Sequence, residues 1–309
     1  RTFMALLSCL LLWGNLVLAD ECIQWTMKVI LGRPVIDMNT NIYGHPFRAN
    51  FARLLPWIEK SNKPFTIVMP GLPRTGKTSI LRALVDYWAK KNGITLSIDF
   101  QDGQPKELMI KLKSSITSMQ RNLGDDVVMT RLLNKWLNMV ETETDFFVAL
   151  DRLNLLAKEE NKELLLLFDE TTVIMGKEWG GEFHKKLFAH NKASKVISYT
   201  SESNESLAKL KHDIQIDDAT KSAIFFEIKP ESPESVRDFL TNITKETEVK
   251  FTEDAIDELY KASGGWPFEL SLIVHRLPID VKLIESKHVK TALKDVQYDN
   301  RSYKFRSIP

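Results

Sequence analysis

The order of apolar and polar residues divides the chain into two regions. In the first, short apolar runs typical of buried strands alternate with stretches whose apolar residues recur every three or four positions, as on one face of a helix. The strands predicted in this way are residues 65–69, 94–100, 164–168, 195–200 and 223–228. From residue 232 to about residue 297 the periodicity is only helical, which predicts a small helical domain.

Alternating strands and helices favour a parallel sheet with helices packed on both faces. The fold class that we expect is therefore α/β, a parallel sheet sandwiched by helices and followed by a helical lid domain. Along the chain this gives four segments: a hydrophobic N-terminal segment over residues 1–19, an α/β core over residues 20–229, a lid over residues 230–297 and a tail over residues 298–309.

The N-terminal segment leaves three interpretations open. Residues 3–19 carry no charge, and Val17-Leu18-Ala19 before Asp20 is typical of a signal-peptidase site. As a membrane anchor the segment is short against the roughly 20 residues needed to span a bilayer. A signal peptide, a short anchor and a buried or non-native extension therefore all stay open, and membrane association stays undecided.

Charge and cysteine content narrow the functional classes. The chain has 42 Lys and Arg residues against 41 Asp and Glu residues, and this near balance gives no electrostatic reason to expect broad nucleic-acid binding. The two cysteines, Cys9 and Cys22, lie near the N-terminus, which excludes a disulfide framework or a cysteine metal site in the body of the chain. A core held by packing alone favours a cytoplasmic or intracellular protein, apart from the open question of the N-terminal segment.

The strongest chemical signal is the segment GLPRTGKT at residues 71–78, which matches G-x-x-x-x-G-K-S/T at every fixed position. It follows a predicted strand and opens a predicted helix, as a phosphate-binding loop requires. Glycines let the backbone wrap around phosphate with its N–H groups inward, and the helix start adds a positive dipole end. Lys77 would neutralise the β- and γ-phosphates, and the Thr78 hydroxyl would coordinate Mg²⁺. The expected nucleotide contacts are Gly71, Leu72, Pro73, Arg74, Thr75, Gly76, Lys77, Thr78 and Ser79.

A pair of acidic residues, Asp169 and Glu170, directly follows the apolar run at residues 164–168. A buried strand delivers such residues to the carboxyl edge of a parallel sheet, where the ligands of these sheets bind. Asp169 would hold Mg²⁺ through its water shell, and Glu170 would polarise an attacking water. Glu170 and Lys77 are therefore the candidate catalytic residues. A solvated acidic pair at a strand end is the alternative, which the upstream loop disfavours.

Other classes of phosphate-loop protein fit less well. A GTPase would need an Asn-Lys-x-Asp base reader, and none of the Asn-Lys pairs of the chain has Asp two positions after the Lys, including those at residues 62, 161 and 191. The L-S-G-G-Q signature of transporter ATPases is absent. A phosphotransferase shares the loop and stays the less favoured alternative, because an Asp-Glu pair after a later strand fits hydrolysis better. ATP and Mg²⁺ are therefore the expected cofactors.

Over about residues 42–297 the chain resembles the AAA+/STAND class of P-loop ATPases, especially its archaeal-type branch. The loop PGLPRTGKTS is similar to the G-P-R-R-T-G-K-T-S loop of that branch, and residues 164–170 are similar to its Walker B strand. The segment SGGWPFEL at residues 263–270 resembles its lid motif G-G-x-P. Residues 42–44 resemble the adenine-side entry box, although His45 and Pro46 stand where an arginine and an acidic residue are usual.

The resemblance implies an ASCE-type P-loop fold, in which a five-stranded parallel sheet and a helical lid enclose ATP. It implies that Thr200 or Ser201, in the segment resembling the sensor-1 strand, reads the γ-phosphate, and that Pro267 packs near the adenine. Two plainer interpretations stay open: a polar turn after residue 199, and a helix end followed by a helix start at residues 264–267. The lid motif lacks the arginine of initiator-type proteins, which favours switching over motor action.

The expected function is therefore Mg²⁺-dependent ATP hydrolysis with slow turnover, in a switch that alternates between ATP and ADP states and binds an unknown protein partner. A nucleic-acid-associated ATPase of the initiator type is the alternative. Its support is the mildly basic segment over residues 282–306, which Asp295 and Asp299 dilute. A homo-oligomer is compatible with either function.

Overall fold

The computed structural model describes residues 48–299 except residues 62, 101–106, 122–125, 176, 217–221, 245–246 and 279. The expectations for the hydrophobic segment over residues 1–19, for the entry box at residues 42–44 and for the tail beyond Asp299 therefore lie outside the described residues. Within the described ranges, no helix is both long enough and apolar enough to cross a membrane.

The chain divides into two compact units. The first, here called the sheet unit, comprises residues 53–73 and 80–228. Among the described residues, the second unit, here called the helical unit, comprises residues 48–52, residues 74–79 and residues 229–299. The division at residue 228 falls next to the expected lid boundary, whereas residues 74–79 group with the helical unit by their contacts.

Five parallel strands form the centre of the sheet unit in the order β2-β3-β4-β1-β5. Every residue of β3 is buried, as in a parallel sheet with both faces covered. The five-stranded parallel sheet that we expected is therefore confirmed. The strands are β1 (Thr66–Gly71), β2 (Ile94–Asp99), β3 (Leu164–Asp169), β4 (Ser194–Thr200) and β5 (Ile224–Phe225).

Helices alternate with these strands in the described residues up to position 228. One of them, the helix over residues 127–142, buries its apolar face, including Trp136, in the main hydrophobic core. Asp126 caps this helix by accepting a hydrogen bond from the Met129 N–H at 2.9 Å. The helices are α1 (Arg48–Glu59), α2 (Lys77–Lys90), α3 (Glu107–Arg121), α4 (Val127–Thr142), α5 (Phe146–Glu159), α6 (Thr172–Met175), α7 (Gly180–Ala189) and α8 (Asn204–Ile216).

The part of the chain after residue 228 has its own hydrophobic core, which includes Phe239, Leu259 and Ile273. Proline opens two of its helices at the first position, where a missing N–H costs nothing. Its elements are α9 (Pro233–Thr244), β6 (Lys250–Phe251), α10 (Glu253–Ser263), α11 (Pro267–Val274), β7 (Leu283–Ile284) and α12 (Ser286–Asp299).

Three details of the predicted elements are wrong. The region after residue 228 is not purely helical, because β6 and β7 pair in parallel. The strand predicted over residues 223–228 is only the two residues of β5. The segment after Thr200, for which we expected only polar loop structure, contains α8, whose start is fixed by hydrogen bonds between Ser203 and Ser206. Two-residue strands are too short for a periodicity to be detected, whereas Leu207, Leu210 and Ile214 have the spacing of a helix, so α8 could have been predicted.

The close approach of Gly265 to the backbone of Glu231, within the helical unit, can be tested by substitution. Its φ is +74°, and a Cβ there would lie 2.2 Å from the carbonyl oxygen of Glu231. We expect Gly265→Ala to lower the free energy of unfolding by about 1–3 kcal/mol. The alanine would strain the backbone at this positive φ, and its Cβ would push the backbone of residue 265 away from that of Glu231. Urea unfolding measures this loss.

Gly181→Ala is the matched control, because Gly181 lies in α7 and a Cβ added there would have nothing within 4 Å. This variant should keep or slightly raise stability, since alanine has the higher helix propensity. Equal effects of the two substitutions would contradict the described contact between Gly265 and Glu231.

Candidate nucleotide site

The phosphate loop lies between the end of β1 and the start of α2. β1 is flanked by β4 and β5 in the sheet, and it ends at Gly71, whose carbonyl oxygen accepts a hydrogen bond from the Ser201 N–H at 3.1 Å. α2 begins at Lys77. The loop therefore begins at the carboxyl edge of a parallel sheet and ends at the positive end of a 14-residue helix, the two features that favour an anionic ligand.

The backbone of the loop is bent through the left-handed region twice, at Arg74 with φ 61° and at Gly76 with φ 96°. Glycine adopts this conformation freely, but in Arg74 it costs free energy, of order 1–3 kcal/mol. The side chains of Thr75 and Lys77 are buried, and the Lys77 ammonium lies 3.5 Å from the Thr75 hydroxyl. A buried cation at a helix start provides a favourable place for phosphate oxygens.

The acidic pair lies at the same edge of the sheet as Gly71, because β3 runs parallel to β1 with β4 between them. Asp169 is the last residue of β3 and is 8% exposed. Its Oδ1 accepts a hydrogen bond from the Glu170 N–H at 3.1 Å. Glu170 is half-buried and has a φ of 54°, a left-handed conformation that is uncommon for a residue other than glycine. Strained residues of this kind cluster at functional sites.

Ser198 is a site residue that sequence reasoning missed. It lies on β4, is completely buried, and its hydroxyl donates a hydrogen bond to Asp169 Oδ1. The Ser198 hydroxyl oxygen also accepts from the Glu170 N–H at 3.4 Å. Ser198 thereby fixes one carboxylate oxygen of Asp169. The available signal was a serine two positions before Thr200, and therefore on the same side of the strand.

The structure separates the two sensor candidates. Thr200 ends β4 directly beside Gly71, and its Oγ1 is buried with no hydrogen-bond partner among the described residues. The Ser201 hydroxyl instead lies 2.6 Å from that of Ser206 in α8. Thr171, which follows Glu170, also has a buried hydroxyl without a partner in the described part of the chain. Buried hydroxyls are rarely left unpaired, so Thr200 and Thr171 have hydrogen bonds to offer to a ligand or water.

The glycine-glycine segment forms a helix end followed by a helix start. Gly264, with φ 59°, ends α10 and donates its N–H to the Tyr260 carbonyl oxygen at 2.8 Å. Trp266 precedes α11, and Pro267 is its buried first residue. This is the plainer of the two arrangements weighed from the sequence. It is compatible with a role for Pro267 beside the adenine, which stays a prediction.

Comparisons with known proteins support the fold. No protein-family model and no curated protein sequence matches the chain. The Walker-type ATPase of Pyrococcus abyssi has a TM-score of 0.61 at 19% identity, covering 88% of this chain and 75% of that chain. The ORC2 protein of Aeropyrum pernix, in ADPNP-ADP complexes, has a TM-score of 0.55 at 10% identity, covering 87% of this chain and 71% of that chain.

Likeness at these identities is informative about the fold. The ADP form of the Aeropyrum pernix protein gives a similar result, with a TM-score of 0.54 at 11% identity over 90% of this chain and 74% of that chain. The chain therefore has the fold of P-loop ATPases, a parallel five-stranded sheet flanked by helices with a helical region after it. This confirms the fold class expected from the sequence and implied by the AAA+/STAND resemblance.

The unpaired hydroxyl of Thr200 and the paired hydroxyl of Ser198 give opposite stability predictions. Thr200→Val should change the free energy of unfolding by no more than about 1 kcal/mol, because it removes a hydroxyl that has no partner to lose. Ser198→Ala should cost about 1–3 kcal/mol, because it removes a buried hydrogen bond to a carboxylate. Urea unfolding without nucleotide compares the two variants, and a larger loss in Thr200→Val would contradict the described site.

Proposed function

We propose that this chain, which has the fold of P-loop ATPases, binds ATP and hydrolyses it slowly with Mg²⁺ as a nucleotide-controlled switch. The observation that carries the proposal is the phosphate loop at residues 71–78, which connects β1 to α2 at the carboxyl edge of the sheet. Its backbone bends, its buried Lys77 and the start of α2 all favour the phosphates of a nucleotide.

The oxygen donors available near the loop and after β3 suit a hard cation such as Mg²⁺. Thr78, the second residue of α2, would supply its hydroxyl, and the Asp169 carboxylate would hold Mg²⁺ through its water shell. Bound there, Mg²⁺ would neutralise negative charge on the β- and γ-phosphates. Ser198 contributes by holding the Asp169 carboxylate in one orientation.

Glu170 is the proposed base for hydrolysis. Water attacks the γ-phosphorus, the bond from that phosphorus to the ADP oxygen breaks, and the proton of the water passes to the Glu170 carboxylate. The products are ADP and inorganic phosphate. The hydroxyls of Thr200 and Thr171, which lack partners among the described residues, are available to orient the water or a γ-phosphate oxygen.

Adenine is the proposed base of the nucleotide. No Asn-Lys-x-Asp guanine reader is present in the sequence. The Aeropyrum pernix ORC2 protein, which is similar in fold, is described in complexes with ADPNP and ADP. Both observations support ATP over GTP.

Switching is proposed over nucleic-acid binding, because the basic residues after position 280 are partly neutralised. Within the helical unit, Lys282 pairs with Glu248, Lys287 pairs with Glu285, and Lys290 lies 3.9 Å from Glu258. Residues 300–306 lie outside the described part of the chain. Paired surface lysines offer less positive potential to a phosphate backbone than free ones.

Two substitutions test the proposed hydrolysis. Lys77→Ala should abolish nucleotide binding, because it removes the buried cation of the loop. Glu170→Gln should keep ATP bound while lowering phosphate release about 100-fold or more, because the amide cannot accept the proton. Phosphate release and bound nucleotide are measured on the full chain with Mg²⁺.

Arg131→Ala is a suitable control, since Arg131 lies on α4 and pairs at the surface with Glu160. Its phosphate release should equal that of the unchanged protein. Unchanged turnover in Glu170→Gln would remove Glu170 from the proposed mechanism. Appearance of a phosphorylated small molecule in place of free phosphate would identify a phosphotransferase.

A further inference from the structure

An arginine of the phosphate loop is held by an aromatic ring of helix α11. The guanidinium carbon of Arg74 lies 4.3 Å from the centroid of the Phe268 ring, well within the distance of a cation–π contact. Both residues belong to the helical unit, to which residues 74–79 are assigned. Phe268 is the second residue of α11, so this contact joins the loop to the first turn of that helix.

The segment directly before α11 is itself fixed by a partly buried hydrogen-bond cluster, here called the anchor and consisting of Asn50, Lys229, Glu231 and Gly265. The Asn50 side chain accepts from the Lys229 N–H at 2.9 Å and donates to the Lys229 carbonyl at 2.8 Å and to Glu231 Oε1 at 2.9 Å. The Glu231 N–H donates to the Gly265 carbonyl at 2.9 Å. Asn50 and Glu231 are each 2% exposed, so water competes little for these bonds.

The anchor makes the position of Phe268 specific. Gly265 approaches Glu231 so closely that any side chain there would collide with it, and only two residues separate Gly265 from Phe268. The ring is therefore presented from a fixed turn. Arg74, in contrast, is exposed and has a strained left-handed backbone. A favourable contact of its guanidinium with the ring offsets part of that strain, and a planar guanidinium stacks on a ring better than an ammonium does.

We propose that Phe268 is a positioning residue of the nucleotide site: its ring holds the Arg74 guanidinium and thereby keeps the phosphate loop in its binding conformation. The inference rests on the proposed function and adds a regulatory link to it. Because the ring belongs to α11, the arrangement of α11 and occupancy of the loop by a nucleoside triphosphate favour each other. Such coupling is reciprocal, so nucleotide binding also stabilises the position of α11.

A double-mutant cycle on the full chain tests the proposal. The variants are Arg74→Ala, Phe268→Ala and the combination of both, and the readout is the affinity for a fluorescent ATP analogue with Mg²⁺. Each single substitution should weaken binding about threefold to tenfold, the range of a cation–π contact. The double variant should be no weaker than the weaker single variant, because both substitutions remove the same contact.

Conservative variants separate positioning from general packing. Phe268→Tyr keeps the aromatic face and should restore the affinity, whereas Phe268→Leu keeps apolar volume without the face and should not. Arg131→Ala and Trp57→Ala are the controls, since Arg131 pairs at the surface of α4 and Trp57 is 53% exposed on α1. Both should bind the analogue as the unchanged protein does. Thermal unfolding of every variant identifies any that fails to fold. If Phe268→Ala fails to fold, the affinities of Phe268→Tyr and Phe268→Leu decide whether the aromatic face is needed.

The proposal would be overturned if the fold loss of affinity in the double variant equalled the product of the two single losses, since the residues would then act independently. Full affinity in Phe268→Leu would overturn it as well. A different result would overturn the proposed function itself: an unchanged chain that binds no ATP analogue, or Lys77→Ala binding as tightly as the unchanged chain. The failure of the inference is therefore distinguishable from the failure of the function on which it rests.

Discussion

The proposed site depends on one constraint: to bind phosphate, the main-chain N–H groups of the loop must wrap around it. It requires the chain to turn sharply between β1 and α2, and the positive φ angles of Arg74 and Gly76 provide that turn. The sheet order supports it, because β1 lies between β4 and β5 and ends at the same edge as β3. Asp169, Ser198 and Thr200 are consequently carried to the edge where the loop begins.

Strain lies at two of the residues closest to the proposed chemistry. Arg74 and Glu170 both have left-handed backbone conformations although neither is glycine. The Glu170 N–H is held by Asp169 and Ser198, and the Arg74 side chain is held by Phe268. In each case a side-chain contact offsets a locally unfavourable backbone. Contacts from another segment would let the conformation of the site respond to that segment, as the proposed switch requires.

The sequence was sufficient to predict the strands and the helix that carry the local parts of the candidate site. The loop, its strand and its helix are contiguous, and the acidic pair directly follows its own strand. Partners distant in sequence could not be predicted: Ser198 is 29 positions from Asp169, and Asn50 is 181 positions from Glu231. Folding alone brings these residues together. Likewise, Thr200 and Ser201 were equivalent in the sequence until the bond between Ser201 and Ser206 distinguished them.

Hydrogen exchange is the sharpest test of whether the main chain of the phosphate loop holds the nucleotide. Amide exchange of the full chain is compared with and without ATP and Mg²⁺, using the amides of α4, which is remote in sequence from the loop, as an internal reference. We expect ATP to slow exchange at residues 72 and 74–79, where the N–H groups would bind phosphate oxygens. Unchanged exchange at these residues in a chain saturated with ATP would show that the loop does not hold the nucleotide in this way.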